Sequence, residues 1–195
     1  KTAVINGLSI EYEVVKRKIR YPRLEYKSGQ LLMVLPEEYD DESWILQRHG
    51  EWLYKKELEI RRALEESKKK QIHLERTRKE LYAYVQKTIE DTKKHYPVRV
   101  NKVFYRDMKT KWGSYSPKGN LTINPQLRYL PDELVRYVVV HELMHSLEKK
   151  HNERYWKNLG VICMNYIELE KELFPYWFKI QQISREGEIA QEIDG

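Results

Sequence analysis

The sequence predicts an α+β fold with strands and helices grouped in separate regions. Three observations predict it: strand-like runs joined by glycine turns at the start, a helical segment without proline, and further strands followed by helices. We therefore expect an N-terminal antiparallel β-sheet at residues 1–36, a basic helical segment at 43–96, a core at 97–180 and a tail at 181–195. The core should contain a short β-sheet and a buried helix.

Two hairpins are predicted at the start of the chain. Asn6 and Gly7 lie between the β-prone runs TAVI and LSIEYEVV, and Asn-Gly is the strongest short hairpin signal. RLEY and QLLMVLP are separated by a glycine-containing turn at 27–29, and the second run ends at Pro36. We expect these strands to form a small antiparallel sheet at 2–35.

The next segment has apolar residues at helical spacing and no proline, which predicts helices at about 43–66 and 72–95. The polar stretch SKKKQ at 67–71 separates them. Residues 43–96 carry five arginines and nine lysines, hence 14 basic residues, against nine acidic ones. This excess suggests a phosphate-binding surface. The interleaved acidic residues favour the alternative, an ordinary solvated helix face.

Composition limits the class of protein. Hydrophobic residues make up 41% and charged residues 34% of the chain, as in ordinary globular proteins. No apolar run approaches the roughly 20 residues that span a bilayer, and the start KTAVINGLSI lacks a secretory signal. The single cysteine, Cys163, excludes an intramolecular disulfide and a thiolate-rich metal site. We expect a cytoplasmic protein without membrane contact, in which imidazole and carboxylate groups bind any metal. The net charge of +6 permits an anionic partner without requiring one.

The segment YVVVHELMHSLEKKH carries the clearest chemical signal. On a helix, His141 and His145 project from one face, where two imidazoles can bind one zinc ion. Glu142 lies beside that face and can take a proton from an activated water. An exposed polar helix face is the alternative, but the preceding YVVV favours a buried helix, in which imidazoles need partners. The pattern therefore predicts a metal site.

A catalytic zinc ion requires a third protein ligand. His151 follows six residues after the second histidine, the spacing of HExxHxxGxxH peptidases. Glu148 takes the place of the glycine that turns the chain in that motif, so we expect the turn at 149–150. The following helix is predicted at about 153–173, with Pro175 as its end. Its Glu168 or Glu172 is the alternative ligand. We favour the histidine.

The run KTKWGSYSPKGNLTIN, followed by LPDELVRYVVVHELMH and HNERYW, resembles the YgjP-like metallopeptidase family, related to the SprT-like and WLM zinc peptidases. The resemblance is densest over 106–160. It implies a zincin-like catalytic core, zinc as cofactor, and Glu142 as catalytic base. Tyr115 stands where the family commonly has cysteine. The zinc ligands implied by the resemblance are His141, His145 and His151.

The resulting hypothesis is a zinc-dependent peptidase acting on a peptide or protein substrate. A DNA-associated protein that uses its helical segment, and a zinc hydrolase of non-peptide amides, are the alternatives. We expect the WGS segment to open a strand near the metal helix, and the strand at 121–124 to pair with extended substrate. Tyr115, Tyr155 and Tyr166 are candidate donors to an oxyanion.

Overall fold

The computed structural model describes residues 1–27 and 29–185, which fold into two compact units. The first unit is Lys1–Lys69, and the second begins at Lys70. Each unit has its own sheet and its own helices, so the predicted α+β class is confirmed. The helical segment predicted at 43–96 is divided between them, with residues 43–69 in the first unit and 70–96 in the second. None of the helices in the described part of the chain is both long and apolar enough to span a membrane.

The sheet of the first unit has the strand order β1-β2-β4-β3. Both predicted hairpins are present, and Asn6 and Gly7 have positive φ angles of 49° and 78°, as their turn requires. The sheet is mixed, however, because β2 and β4 pair in parallel. The apolar strand β4 takes an inner position, whereas the charged strand β3 lies at the edge. The strands are β1 Thr2–Ile5, β2 Leu8–Arg17, β3 Arg23–Lys27 and β4 Gln30–Pro36.

Two helices, α1 (Glu42–Arg48) and α2 (Gly50–Ser67), complete the first unit. The prediction of one helix at 43–66 was wrong, because His49 leaves the helical conformation, with φ −106° and ψ 11°. The glycine after it favours a break. The side chain of Asp41 caps α1 by accepting from the backbone N–H of Trp44 at 2.9 Å. The buried core of this unit comprises Ile10, Tyr12, Leu31, Met33, Leu35, Ile45 and Leu53.

The second unit begins its regular structure with α3 (Arg78–Lys93), six residues later than predicted. Thr77 and Glu80 form a capping box that defines this start. A three-stranded sheet follows with the order β5-β7-β6, in which β5 is parallel and β6 antiparallel to β7. The strands are β5 Lys102–Tyr105, β6 Gly113–Tyr115 and β7 Asn120–Ile123.

Helix α4 (Asp132–Met144) is the centre of the second unit. Its residues Val135, Val139 and Val140 are fully buried, and it packs against α3, the sheet and the two later helices. A helix that is apolar over most of its surface is stable only inside a core. The predicted burial of the YVVV segment is confirmed.

The last two helices are α5 (Glu153–Ile162) and α6 (Tyr166–Arg185). A single helix at 153–173 was predicted, with Pro175 as its end, and both expectations were wrong. The chain leaves the helix at Cys163, whereas the proline lies inside α6. The buried side chains after the proline provide packing that offsets its cost to the helix. The predicted tail lies outside the described residues from 186 onward.

Candidate metal centre and active site

Three imidazoles meet at the C-terminal end of α4. His141 and His145 lie one turn apart, and the Nε2 atom of His151 is 3.2 Å from the Nε2 atom of each. Their potential ligand atoms all lie within 4.8 Å of one another, and they are the group of three that could hold a metal ion among the described residues. The structure therefore brings together the three histidines that the sequence singled out.

The corner between α4 and α5 (residues 145–152) turns without glycine. Glu148 is not strained there, because Asn6 is the only non-glycine residue with positive φ in the described chain. Its carboxylate accepts from Asn152 Nδ2 at 3.2 Å and pairs with Arg154 Nε at 3.0 Å. The Asn152 side chain also caps α5 by accepting from the backbone N–H of Tyr155 at 2.9 Å. The glutamate thus holds the corner through its side chain.

Hydrogen bonds orient two of the imidazoles. His145 Nδ1 lies 3.1 Å from the backbone carbonyl oxygen of Glu148, so Nδ1 donates its proton and Nε2 keeps a lone pair. His141 Nδ1 lies 3.4 Å from the hydroxyl of Tyr137. Burial lowers the pKa of His141 to about 3, with smaller contributions from the other two imidazoles. Burial also lowers the pKa of His145. A neutral imidazole is the form that binds a metal.

The ring of Tyr155 packs against all three imidazoles. Its ring centroid lies 5.4, 5.0 and 4.6 Å from those of His141, His145 and His151. The side chain is fully buried, and its hydroxyl donates to the backbone carbonyl of His141 at 2.8 Å. The hydroxyl of Tyr115 likewise donates to a backbone carbonyl, that of Arg99, at 2.5 Å. Two of the three phenols suggested as oxyanion donors, those of Tyr115 and Tyr155, therefore donate to main-chain oxygens.

Glu142 faces the neighbouring strand β6. The nearby backbone N–H of Tyr115 and the Lys111 ammonium both favour the charged form of its carboxyl group and lower its pKa. Burial is the largest effect and raises the pKa of Glu142 to about 7. Glu142 lies in a cleft of about 800 Å³, which the three histidines and β6 also line. A carboxylate, three imidazoles and a strand at the edge of its sheet therefore share one cleft.

The prediction that the strand at 121–124 pairs with extended substrate is wrong. β7, which contains most of residues 121–124, is the central strand of its sheet and has neighbours on both sides. β6 is an edge strand. On the side facing β7, Trp112 accepts a backbone hydrogen bond from Asn124, and Ser116 donates one to Asn120. Because backbone groups alternate in direction along a strand, those of Gly113 and Tyr115 point away from β7.

The three histidines fit a zinc ion. Two ligands of a tetrahedral ion at about 2.0–2.1 Å are roughly 3.3 Å apart, close to the 3.2 Å between the imidazole nitrogens. Neutral nitrogens with free lone pairs are the donors that zinc prefers. The alternative ligand Glu172 forms an ion pair with Lys70, and Glu168 is exposed on α6 outside the histidine cluster.

Comparison with known proteins places the chain in a family. The model of the family described as "YgjP-like, metallopeptidase domain" matches residues 54–175. The chain belongs to the YgjP-like metallopeptidase family. No curated protein matches it.

Two solved structures resemble this YgjP-like metallopeptidase. One is the metallopeptidase zymogen of Pyrococcus abyssi abylysin, with 20% identity, a TM-score of 0.39, and coverage of 48% of this chain and 90% of that chain. The other is the metallopeptidase zymogen of Methanocaldococcus jannaschii jannalysin, with 21% identity, a TM-score of 0.40, and coverage of 53% and 96%.

Several residues of the YgjP-like site were not foreseen in the sequence. Tyr137 was detectable in principle, because it precedes the first histidine by four residues and so shares its helix face. The strand expected to open at the WGS segment is present as β6 and does lie against α4. The hydrogen bonds of Glu148 depend on the path of the corner, and the close packing of Gly113 against Glu142 depends on the exact position of β6 on α4. No local sequence pattern carries that information.

Proposed function

We propose that this YgjP-like protein is a zinc-dependent peptidase in which His141, His145 and His151 bind zinc and Glu142 is the general base. The observation that carries the proposal is the convergence of three imidazole Nε2 atoms beside a carboxylate in one cleft. Three neutral ligands leave a zinc ion one open position, as catalytic sites require. A polypeptide is the proposed substrate.

Each residue of the proposed site has a separate role in peptide hydrolysis. Zinc bound at the histidines would supply Lewis-acid polarisation of water and of the substrate carbonyl. Glu142 accepts a proton from the attacking water, whose oxygen forms the new bond to the carbonyl carbon. When the carbon–nitrogen bond breaks, the same carboxyl group delivers that proton to the leaving amine. Tyr155 and Glu148 hold the imidazoles in place through the hydrogen bonds described above.

The β6 edge favours an extended polypeptide over a compact substrate. Backbone groups of Gly113 and Tyr115 point away from β7 and line the cleft. An extended peptide can pair with such an edge through its main chain. A small non-peptide amide needs the same base and metal but gains nothing from a strand edge. Comparing hydrolysis of unfolded protein with that of short N-acyl amides separates the two substrate classes.

Binding of nucleic acid by the helical segment remains a prediction from the sequence. Many of its cations are paired within the same helix: Lys55 with Glu51, Arg61 with Glu57 and Lys93 with Glu90, at 2.6 to 3.0 Å. Paired cations offer less charge to a phosphate backbone. Titration with DNA at several salt concentrations tests the prediction, since phosphate contacts weaken as salt rises.

The decisive experiment combines metal analysis with substitution. The purified protein should hold one zinc ion per chain and cleave an unfolded protein. Glu142→Gln should keep the zinc and lose roughly 10²–10⁴-fold in rate, the usual contribution of general acid–base catalysis. His151→Ala should lose tight zinc binding. Equal cleavage by Glu142→Gln, or wild-type protein without stoichiometric zinc, would refute the proposal.

A further inference from the structure

We propose that Gly113 is a positioning residue: because it has no side chain, β6 can lie directly against Glu142 and hold its carboxylate in position. The proposal rests on the proposed function, since it concerns the base of that reaction. It assigns a role to the missing side chain of this glycine, whereas the proposed function uses only its backbone groups.

The first evidence is the space around the glycine. A Cβ atom added at Gly113 would lie 2.8 Å from Cγ of Glu142 and 3.3 Å from its Cδ and Oε1 atoms. Separations below 3.0 Å essentially never occur for real Cβ atoms, so the glutamate side chain and β6 would have to move apart. All three of the contacting atoms belong to the proposed base. Any other residue at this position therefore displaces that carboxylate.

The second evidence is the backbone conformation. The described glycines with positive φ are Gly7, Gly29 and Gly119, which lie in turns, and Gly113 is not among them. An L-residue can therefore adopt the backbone conformation of Gly113 without strain. A turn requirement does not explain this glycine, whereas the packed glutamate does.

The third evidence is the way β6 is held. Asn124 is fully buried, and its Nδ2 atom donates to the backbone carbonyls of Met108 and Lys111 at 2.9 and 3.0 Å. Its own N–H donates to the carbonyl of Trp112 at 2.9 Å. These three bonds, two from the side chain of Asn124 and one from its backbone, fix the segment that leads into β6. A fixed strand keeps the Glu142 side chain that packs against it in one position, as a preorganised base requires.

The catalytic test is Gly113→Ala. We expect kcat to fall about 100-fold, the usual effect of displacing a reacting group by about 1 Å, while KM and zinc affinity change less than about threefold. Adding Gly113→Ala to Glu142→Gln should lower the rate no further, because the displaced group is already absent. Gly160→Ala on α5 is the matched control, since its added Cβ would meet two ring carbons of Tyr166 at ordinary contact distances of 3.4 and 3.7 Å. Retention of more than half of the wild-type kcat by Gly113→Ala would overturn the proposal.

A second measurement does not depend on activity. In chelator, Gly113→Ala should lower the thermal midpoint by roughly 4 °C through overpacking. In a Glu142→Ala background, the glycine substitution should cost nothing, because the atoms that it would meet are gone. An equal loss in both backgrounds contradicts the contact. If Gly113→Ala lowers the thermal midpoint only when Glu142 is present, but the wild-type protein cleaves nothing, the proposed function fails and the contact stands. If the wild-type protein is active and Gly113→Ala is equally active, only the inference fails.

Discussion

Replacing Glu148 by alanine should weaken zinc binding without unfolding the protein. This side chain holds the corner from which His151 projects, through its bonds to Asn152 and Arg154. The ion pair is largely solvent-exposed, since 78% of the Arg154 side chain is accessible, so it contributes only about 0.2–1 kcal/mol. The hydrogen bond from the Asn152 amide adds about 1 kcal/mol.

Together these interactions stabilise the corner by about 1.5 kcal/mol, which corresponds to roughly a tenfold change in a binding constant. Loss of outer partners of metal ligands commonly costs about 10–100-fold in affinity. We therefore expect the zinc dissociation constant of Glu148→Ala to rise about tenfold. The backbone carbonyl of residue 148 still accepts from His145, so two of the three ligands keep their orientation.

The assay is competition for zinc against a chromophoric chelator at fixed pH and salt. Arg154→Ala is the matched control, because it removes the exposed ion pair and leaves the Asn152 bond intact. This control should change the affinity less than about threefold. Wild-type affinity in Glu148→Ala, or an equal loss in Arg154→Ala, would show that the glutamate does not hold the corner.

Three other outcomes are expected. Tyr155→Phe removes the buried hydrogen bond to the His141 carbonyl, so the thermal midpoint should fall by roughly 4 °C with zinc stoichiometry retained, and loss of the zinc would contradict the positions assigned to the ligands. Asn124→Ala leaves two loop carbonyls without their donor, so denaturant unfolding should show a loss of about 2–4 kcal/mol; a loss below 1 kcal/mol would contradict the bonds described. Burial raises the pKa of Cys163 to about 11 from a reference of 9.0, so iodoacetamide at pH 8 should modify it slowly in the native protein and rapidly in urea. Because the unfolded chain releases this proton first, the free energy of unfolding should also fall as the pH rises from about 9 to about 11, and Cys163→Ala should lack that component.

Local signals in the sequence predicted local structure well. The Asn6–Gly7 turn depends on two adjacent residues, and the structure has the positive φ angles that such a turn needs. The cluster of His141, His145 and His151 also depends on nearby residues, since helical spacing and a short turn bring them together. In both cases the relevant interactions lie within a few residues along the chain.

Features that depend on distant packing were predicted poorly. The parallel pairing of β2 with β4 arises because the more apolar strand takes the inner position, which is a property of the whole sheet. Pro175 lies within a helix because buried side chains beyond it pack into the core. The contact between Gly113 and Glu142 joins two elements far apart in sequence. Turn and helix propensities contain no information on these partners.

The proposed histidine ligands come from only eleven residues of the chain, 141 to 151. A metal ion there closes a very short loop, so it removes little conformational freedom from the unfolded chain as a whole. Zinc should therefore slow amide hydrogen exchange at the α4–α5 corner much more than in the buried strands of either unit. On the proposed ligand set, we expect the metal to leave and return through opening of this corner alone, while the rest of the fold stays intact.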